Sequence, residues 1–355
     1  MTITTPITEL FGIQHPILLA GMNVASGPHL AAAVSNAGGL GVIGGMGYSP
    51  EMLREQIKEI KAHLKPGVTK FGVDLLLPQV GGNARKTNYD YTHGQLPELI
   101  KVVIEEGTGL FVSAVGVPPK EAVDQLHKAG IPVMNMIGAP KHVKRALAAG
   151  VDIICAQGGE GGGHTGSIPT SILIPAVAAE VKGKKSPLTG KPIEVIAAGG
   201  ISNGKSLAAA LMCGASAVWV GTRFICAEEA GAPKGHQDAV MECSYDGTFR
   251  TIIYTGRPLR IKKNPYALDW ENNRQLEIKT LTSEGKIPVP WEIEQYEQSG
   301  KDVPEMIEEY GFPYLMGEVA ALVKDVKPAK AIVDEMVSEA EQSLTRGLKL
   351  IKAKL

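Results

Sequence analysis

Eight short apolar runs alternate with amphipathic stretches from the N-terminus to about residue 222. They span 16–22, 40–45, 70–78, 109–115, 131–137, 151–158, 192–199 and 217–222, most are rich in Val, Ile, Leu and Ala, and each is bounded by Gly or Pro or lies close to one. Near-continuous apolar runs of this length are the pattern of parallel strands buried on both faces. The segments 28–37, 50–64, 118–129, 141–148 and 204–213 read as helices between them, several with Pro near the first turn and Gly at the stop. Eight strand–helix repeats predict an α/β fold of the (β/α)8, or TIM, barrel type. A doubly wound sheet normally stops at fewer strands and ranks second. The 355 residues suit one such barrel with insertions.

The regularity breaks after about residue 231. Residues 246–300 carry Trp270, Trp291 and many charges with weak periodicity, the pattern of a lid or cap rather than of another strand–helix unit. Residues 314–323 and 329–355 read as closing helices. The expected organisation is a barrel over 1–231, an insertion or lid over 232–312, and C-terminal helices over 313–355 packing back on the barrel. Residues 79–95 form a long polar loop after the third strand, at the end where barrels build their active sites.

Composition excludes several function classes. With 44% hydrophobic and 21% charged residues the chain is too apolar for disorder and too charged for a membrane protein. A net charge of −1 provides no field for nucleic acid or an anionic membrane. Cys155, Cys213, Cys226 and Cys243 form no CxxC pair and have no His at zinc spacing, so no metal site is expected, and the thiols read as reduced in an intracellular protein. No apolar run is long enough to span a bilayer, and the N-terminus lacks a signal-peptide layout. A cytoplasmic location follows. The terminal Ala353-Lys354-Leu355 is close to the Ser-Lys-Leu peroxisomal address, which in a eukaryote would mean the peroxisomal matrix; it reads equally as the frayed end of a basic helix.

Three glycine-rich sites carry the chemistry. Gly199-Gly200, ending the seventh run, and Gly221-Thr222, ending the eighth, stand where barrels form a phosphate cup from converging backbone N–H groups. The same glycines would serve two tight strand-to-helix turns. The run from Gln157 to Gly166 follows the sixth strand and includes Gly162, Gly163 and His164. Ordering so many glycines is entropically unfavourable, which points to close approach of a ligand. His164 is the one imidazole in the run, and its ordinary pKa suits proton abstraction or anion binding. Glu160 reads as orienting backbone or capping the next helix. Gly21 and Met22 end the first strand and suit packing on a flat ring, or simply the core. Asp74 on the third strand either faces the barrel mouth or pairs with a Lys or Arg, and Asn135 holds a comparable place on the fifth.

The stretch 157–166 resembles the flavin-contacting histidine motif of the nitronate monooxygenase (2-nitropropane dioxygenase) family. The segments 197–201 and 221–223 resemble its two phosphate motifs, and 15–22 and 36–41 its N-terminal pattern. Residues 254–258 and 327–329 resemble its C-terminal region less specifically. Gly161, Glu318 and Asp74 depart from its common residues, which bears on the subclass.

The resemblance implies non-covalent FMN, with Gly21, Met22, Asp74, Asn135, Gln157, Gly162, Gly163, Gly199, Gly200, Gly221 and Thr222 as its contacts. His164 would act on the substrate as a base or as an anion holder. The implied reaction converts an alkyl nitronate or nitroalkane and O2 to a carbonyl compound and nitrite. A homodimer is compatible with it. The same resemblance allows an NAD(P)H-dependent flavin reductase acting on quinones or an enoyl thioester. A non-redox phosphosugar isomerase shares the phosphate cup, and a non-enzymatic binding module ranks last.

Overall fold

A computed structural model of the chain describes residues 3–351. All eight expected strands form: β1 (Ile17–Leu19), β2 (Gly41–Gly44), β3 (Phe71–Leu76), β4 (Leu110–Ala114), β5 (Val133–Ile137), β6 (Ile153–Gln157), β8 (Glu194–Ala198) and β9 (Ala217–Val220). Three short strands lie outside the barrel: β7 (Gly163–His164), β10 (Thr248–Thr251) and β11 (Leu259–Lys262). The barrel strands are all parallel, in the order β1-β9-β8-β6-β5-β4-β3-β2. Leu18 bridges Leu40, and the Leu19 N–H donates to the Leu40 carbonyl, so β1 meets β2 and the sheet closes. The chain therefore folds as a TIM barrel.

The strands are apolar throughout because they serve two cores. Along β1, Leu18 joins an inner cluster with Leu40, Val42, Leu110, Val112, Met134, Cys155 and Trp219. Its neighbours Ile17 and Leu19 face outward into a larger cluster with Ile43, Phe71, Val73, Phe111 and Leu207, where strands meet helices. The period-2 alternation of a strand thus sends successive side chains to opposite cores. Ile7 and Phe11, from the N-terminal helix Pro6–Phe11, belong to the inner cluster as well.

Helices start where local chemistry favours it. Ser49 accepts from the Met52 N–H ahead of Pro50–His63, and Asn203 forms a capping box with Ser206 ahead of Gly204–Met212. Gly204 does more than open its helix. A Cβ there would lie 2.4 Å from the Met336 carbonyl, so the glycine admits the C-terminal helix Ala329–Lys349 at close range.

The segment between 246 and 310 is more ordered than its weak periodicity suggests. β10 and β11 form an antiparallel ribbon, followed by helices Pro265–Asn273, Gln275–Ser283, Pro288–Ser299 and Glu305–Tyr310. They enclose their own apolar cluster around Trp270, Tyr266, Ile253, Ile261 and Leu281. The expected helix over 314–323 does not form. Tyr314 and Leu315 are extended beside the ribbon, with Leu315 bridging Ile261, and only a 3-10 turn, Glu318–Leu322, follows. Backbone pairing with the ribbon outweighs local helix propensity there. The C-terminal helix ends at Lys349, short of the expected 355, and Ala353-Lys354-Leu355 lies outside the described residues. Among the described residues no helix is long and apolar enough to cross a membrane.

Candidate active site

A cavity of about 1200 Å3 opens at the C-terminal end of the barrel strands. Gly21, Met22, Asp74, Gln157, Gly162, Gly163, His164, Gly199, Gly200, Gly221 and Thr222 all line it. The structure brings together from five separate stretches nearly every residue singled out in the sequence. Asn135 is the exception. It lies between Met134, which faces the inner core, and Met136, which lines the cavity, so its own side chain points to the other face of the strand. Its Nδ2 donates to the carbonyls of Ser113 (2.9 Å) and Gly116 (2.6 Å), propping the turn after β4.

The glycine-rich loop is shaped mainly by neighbouring chain. A Cβ on Gly158 would overlap the Thr170 hydroxyl, one on Gly161 would lie 2.5 Å from the Gln157 amide, and one on Gly162 would lie 2.7 Å from the Gly317 nitrogen. Ligand approach is therefore not needed to explain these glycines. Gly199 and Gly200 differ: their φ angles of 84° and 72° are left-handed, and they turn the backbone at the cavity floor. Glu160 accepts from the Thr170 N–H (3.0 Å) and hydroxyl (2.8 Å), capping helix Thr170–Val181. The Thr222 hydroxyl accepts from the Gly317 N–H at 2.9 Å. Arg223 turns away from the cavity to an ion pair with Asp325.

His164 is held by the lid ribbon. With Gly163 it forms β7, which pairs antiparallel with β11, opposite Leu259. Its Nε2 lies 3.1 Å from the Thr255 hydroxyl. Enclosure in the cleft pushes its pKa down to about 4, and the positive charge of Arg257 pushes the same way. At neutral pH the imidazole is therefore uncharged and free to accept a proton.

The lid clamps the loop with two arginines and ties to the barrel through a third. Arg250 donates to the Gly166 carbonyl and Arg260 to the Gly159 carbonyl, while Arg257 donates to Asn88 Oδ1 (3.0 Å) and the Val115 carbonyl (2.9 Å). Val115 has a φ of 69°, a left-handed conformation that is strained for a β-branched residue by roughly 1–3 kcal/mol. Sequence reasoning missed these groups. Residues 254–258 stood out only by resemblance, and nothing in their periodicity placed Thr255 and Arg257 at the barrel mouth.

Asp74 is buried, lines the cavity, and its Oδ1 has no hydrogen-bond partner. Desolvation raises its pKa to about 8, so it is largely protonated at neutral pH. Among the described residues it has no Lys or Arg partner. Beside it, a Cβ on Gly21 would lie 2.6 Å from Asp74 Oδ2, so only glycine keeps this wall flat. A glycine-edged cup, a flat apolar wall with Met22 and one unpaired polar oxygen suit a phosphorylated, planar, hydrogen-bonding cofactor.

The nitronate monooxygenase family model matches residues 4–339. The chain belongs to that family. Its members are flavin-dependent oxidoreductases, and this chain is accordingly an oxidoreductase. It is 32% identical to a nitronate monooxygenase of Pseudomonas aeruginosa over 294 residues, covering 72% of this chain and 79% of that protein. It is 36% identical over 262 residues to (3aS,4S,5R,7aS)-5-hydroxy-7a-methyl-1-oxo-octahydro-1H-indene-4-carboxyl-CoA dehydrogenase of Mycobacterium tuberculosis, covering 74% of this chain and 66% of that relative. The fold matches FabK from Thermotoga maritima with a TM-score of 0.76 and 29% identity, covering 99% and 100% of the two chains.

Proposed function

We propose that this family member uses FMN to oxidise alkyl nitronates, and nitroalkanes after deprotonation, with O2 to a carbonyl compound and nitrite. The observation that carries the reading is His164, an uncharged imidazole fixed by Thr255 over a glycine-edged cup. Gly199, Gly200, Gly221 and Thr222 would hold the phosphate. Gly21, Met22 and Asp74 would face the ring system, with Gln157, Gly162 and Gly163 on the loop above it. Taking up electrons from the substrate and passing them to dioxygen is the chemistry that bound FMN supplies. A ring nitrogen of the uncharged His164 imidazole accepts the α-proton of a neutral nitroalkane, while the Thr255 hydroxyl holds the ring at Nε2. An already anionic nitronate needs no such step. The barrel (1–231) carries the cofactor in this reading and the insertion (232–312) the lid.

One observation favours a second reading, an NAD(P)H-dependent flavin reductase acting on an enoyl thioester. A cavity of about 1200 Å3 exceeds the ~300–1000 Å3 usual for a single ligand and has room for a long substrate beside a cofactor. The M. tuberculosis relative, a carboxyl-CoA dehydrogenase by name, points the same way. Purified protein given a propyl-2-nitronate in air should release nitrite and acetone in equal amounts. Absence of nitrite overturns the first reading.

A further inference from the structure

The cavity contains a cation that the proton-accepting role of His164 leaves unused. Arg257 lines it with His164, and among the described residues both of its hydrogen-bond acceptors are neutral: Asn88 Oδ1 and the Val115 carbonyl. Among the described residues no carboxylate lies within ion-pairing distance of it, although Arg223, Arg260 and Arg274 each have one. A second cation, Arg85, lies near it on the cavity wall. An arginine serving only as a tie between lid and barrel would not need its charge, since two carbonyl-type acceptors engage two of its five N–H groups. A half-buried, unneutralised guanidinium beside another arginine is unfavourable unless an anion joins it.

The surroundings hold it in that state. Asn135 props the turn 113–116 through two carbonyls, and that turn keeps Val115 in its left-handed conformation with its carbonyl on the Arg257 guanidinium. On the lid side, the Thr255 hydroxyl bridges the Arg257 carbonyl (3.3 Å) and His164 Nε2 (3.1 Å), so imidazole and guanidinium are mounted on one hairpin.

We propose that Arg257 is the substrate-anion anchor of this site, binding a planar oxyanion such as the two oxygens of a nitronate through its free N–H groups, next to His164. The uncharged imidazole then acts on the carbon while the guanidinium takes the charge, so the two tasks fall to two residues. Arg85, more exposed at the mouth, adds long-range attraction. The assignment rests on the nitronate reading for the identity of the oxyanion, but not for its binding.

The test uses nitrate, a planar and unreactive oxyanion, titrated calorimetrically into the purified full-length protein. In Arg257→Gln, which keeps donors for Asn88 and Val115, nitrate affinity should fall about tenfold to a hundredfold, the range for loss of charge-assisted hydrogen bonds. Arg85→Gln should fall less than fivefold. The His164 imidazole, followed by NMR, should titrate at higher pH in Arg257→Gln because a neighbouring positive charge is gone. Should the Gln variant not fold, Arg257→Lys keeps the charge without the planar fork, and a loss of severalfold is expected from it. Wild-type protein that does not bind nitrate, or a folded variant that binds it as wild type does, overturns the anchor. Arg257-dependent nitrate binding with no nitrite produced from nitronates retires the nitronate reading and leaves the anchor standing.

Discussion

The two walls of the cavity are built on opposite principles. The barrel wall is neutral and small-featured, with Gly21, Met22, Gly199, Gly200 and Gly221 around a carboxyl that is itself protonated at neutral pH. The lid wall offers polar side chains, with Thr255 on a histidine stripped of its charge and Arg257 lining the same cavity. A wall of glycines fits a large rigid body closely and does little else. A wall of mounted polar side chains acts on whatever lies against that body. In the proposed reading the barrel takes the cofactor and the lid the substrate, and each wall can be broken separately.

The largest effect is expected on the barrel wall. In Gly199→Val a Cβ would sit at a φ of 84° and 2.8 Å from the Gly158 carbonyl, forcing the cup apart. Loss of bound flavin together with about 2–4 kcal/mol of stability should follow, read by absorbance of the purified protein and by denaturant unfolding. Full flavin content in this variant would refute the cup.

On the lid wall, His164→Asn should keep the flavin and lose about 10²–10⁴ in turnover of neutral nitroalkanes, with a much smaller loss on preformed nitronates. Unchanged turnover of the neutral substrates would sink the proton-accepting role. Because the folded pKa is about 4, activity on neutral nitroalkanes should fall on the acid side only near pH 4, not near 6.5.

A pH-dependent effect on the barrel wall sharpens the contrast. Asp74 has its pKa raised from 3.8 to about 8, so the folded chain holds a proton that the unfolded chain releases. Its contribution is fully present below pH 3.8 and is lost as pH rises through about 8, at up to about 1.4 kcal/mol per pH unit. Urea unfolding of flavin-free protein between pH 4 and 8 should show that slope in the wild type, and Asp74→Asn should flatten it. The smallest change is Thr255→Val, which frees the His164 ring and should cost about three- to tenfold in turnover, with flavin content unaltered.

The sequence carried the barrel wall better than the lid wall, for a physical reason. Strands buried on both faces must be apolar along their length, so all eight were legible, and glycines at the ends of the last two marked turns that line the cavity. The lid depends on pairings between distant segments. His164 is positioned by a two-residue strand opposite Leu259, far too short for a periodic signal, and Arg257 gains meaning only when the hairpin folds over Val115. Asn135 shows the limit of reading strand residues singly, because a shift of one position along β5 moves a side chain from the cavity to the outer face. The glycine run pointed to a loop that lines the cavity, with an incomplete reason, since packing against Thr170, Gln157 and Gly317 demands several of its glycines.

The most direct measurement mixes the purified protein anaerobically with a nitronate, with NADH and with NADPH in turn, and follows the flavin absorbance. Bleaching by the nitronate, with the flavin staying oxidised in both nicotinamide mixtures, is the predicted result. Rapid bleaching by NADH or NADPH, with no response to the nitronate, would contradict it.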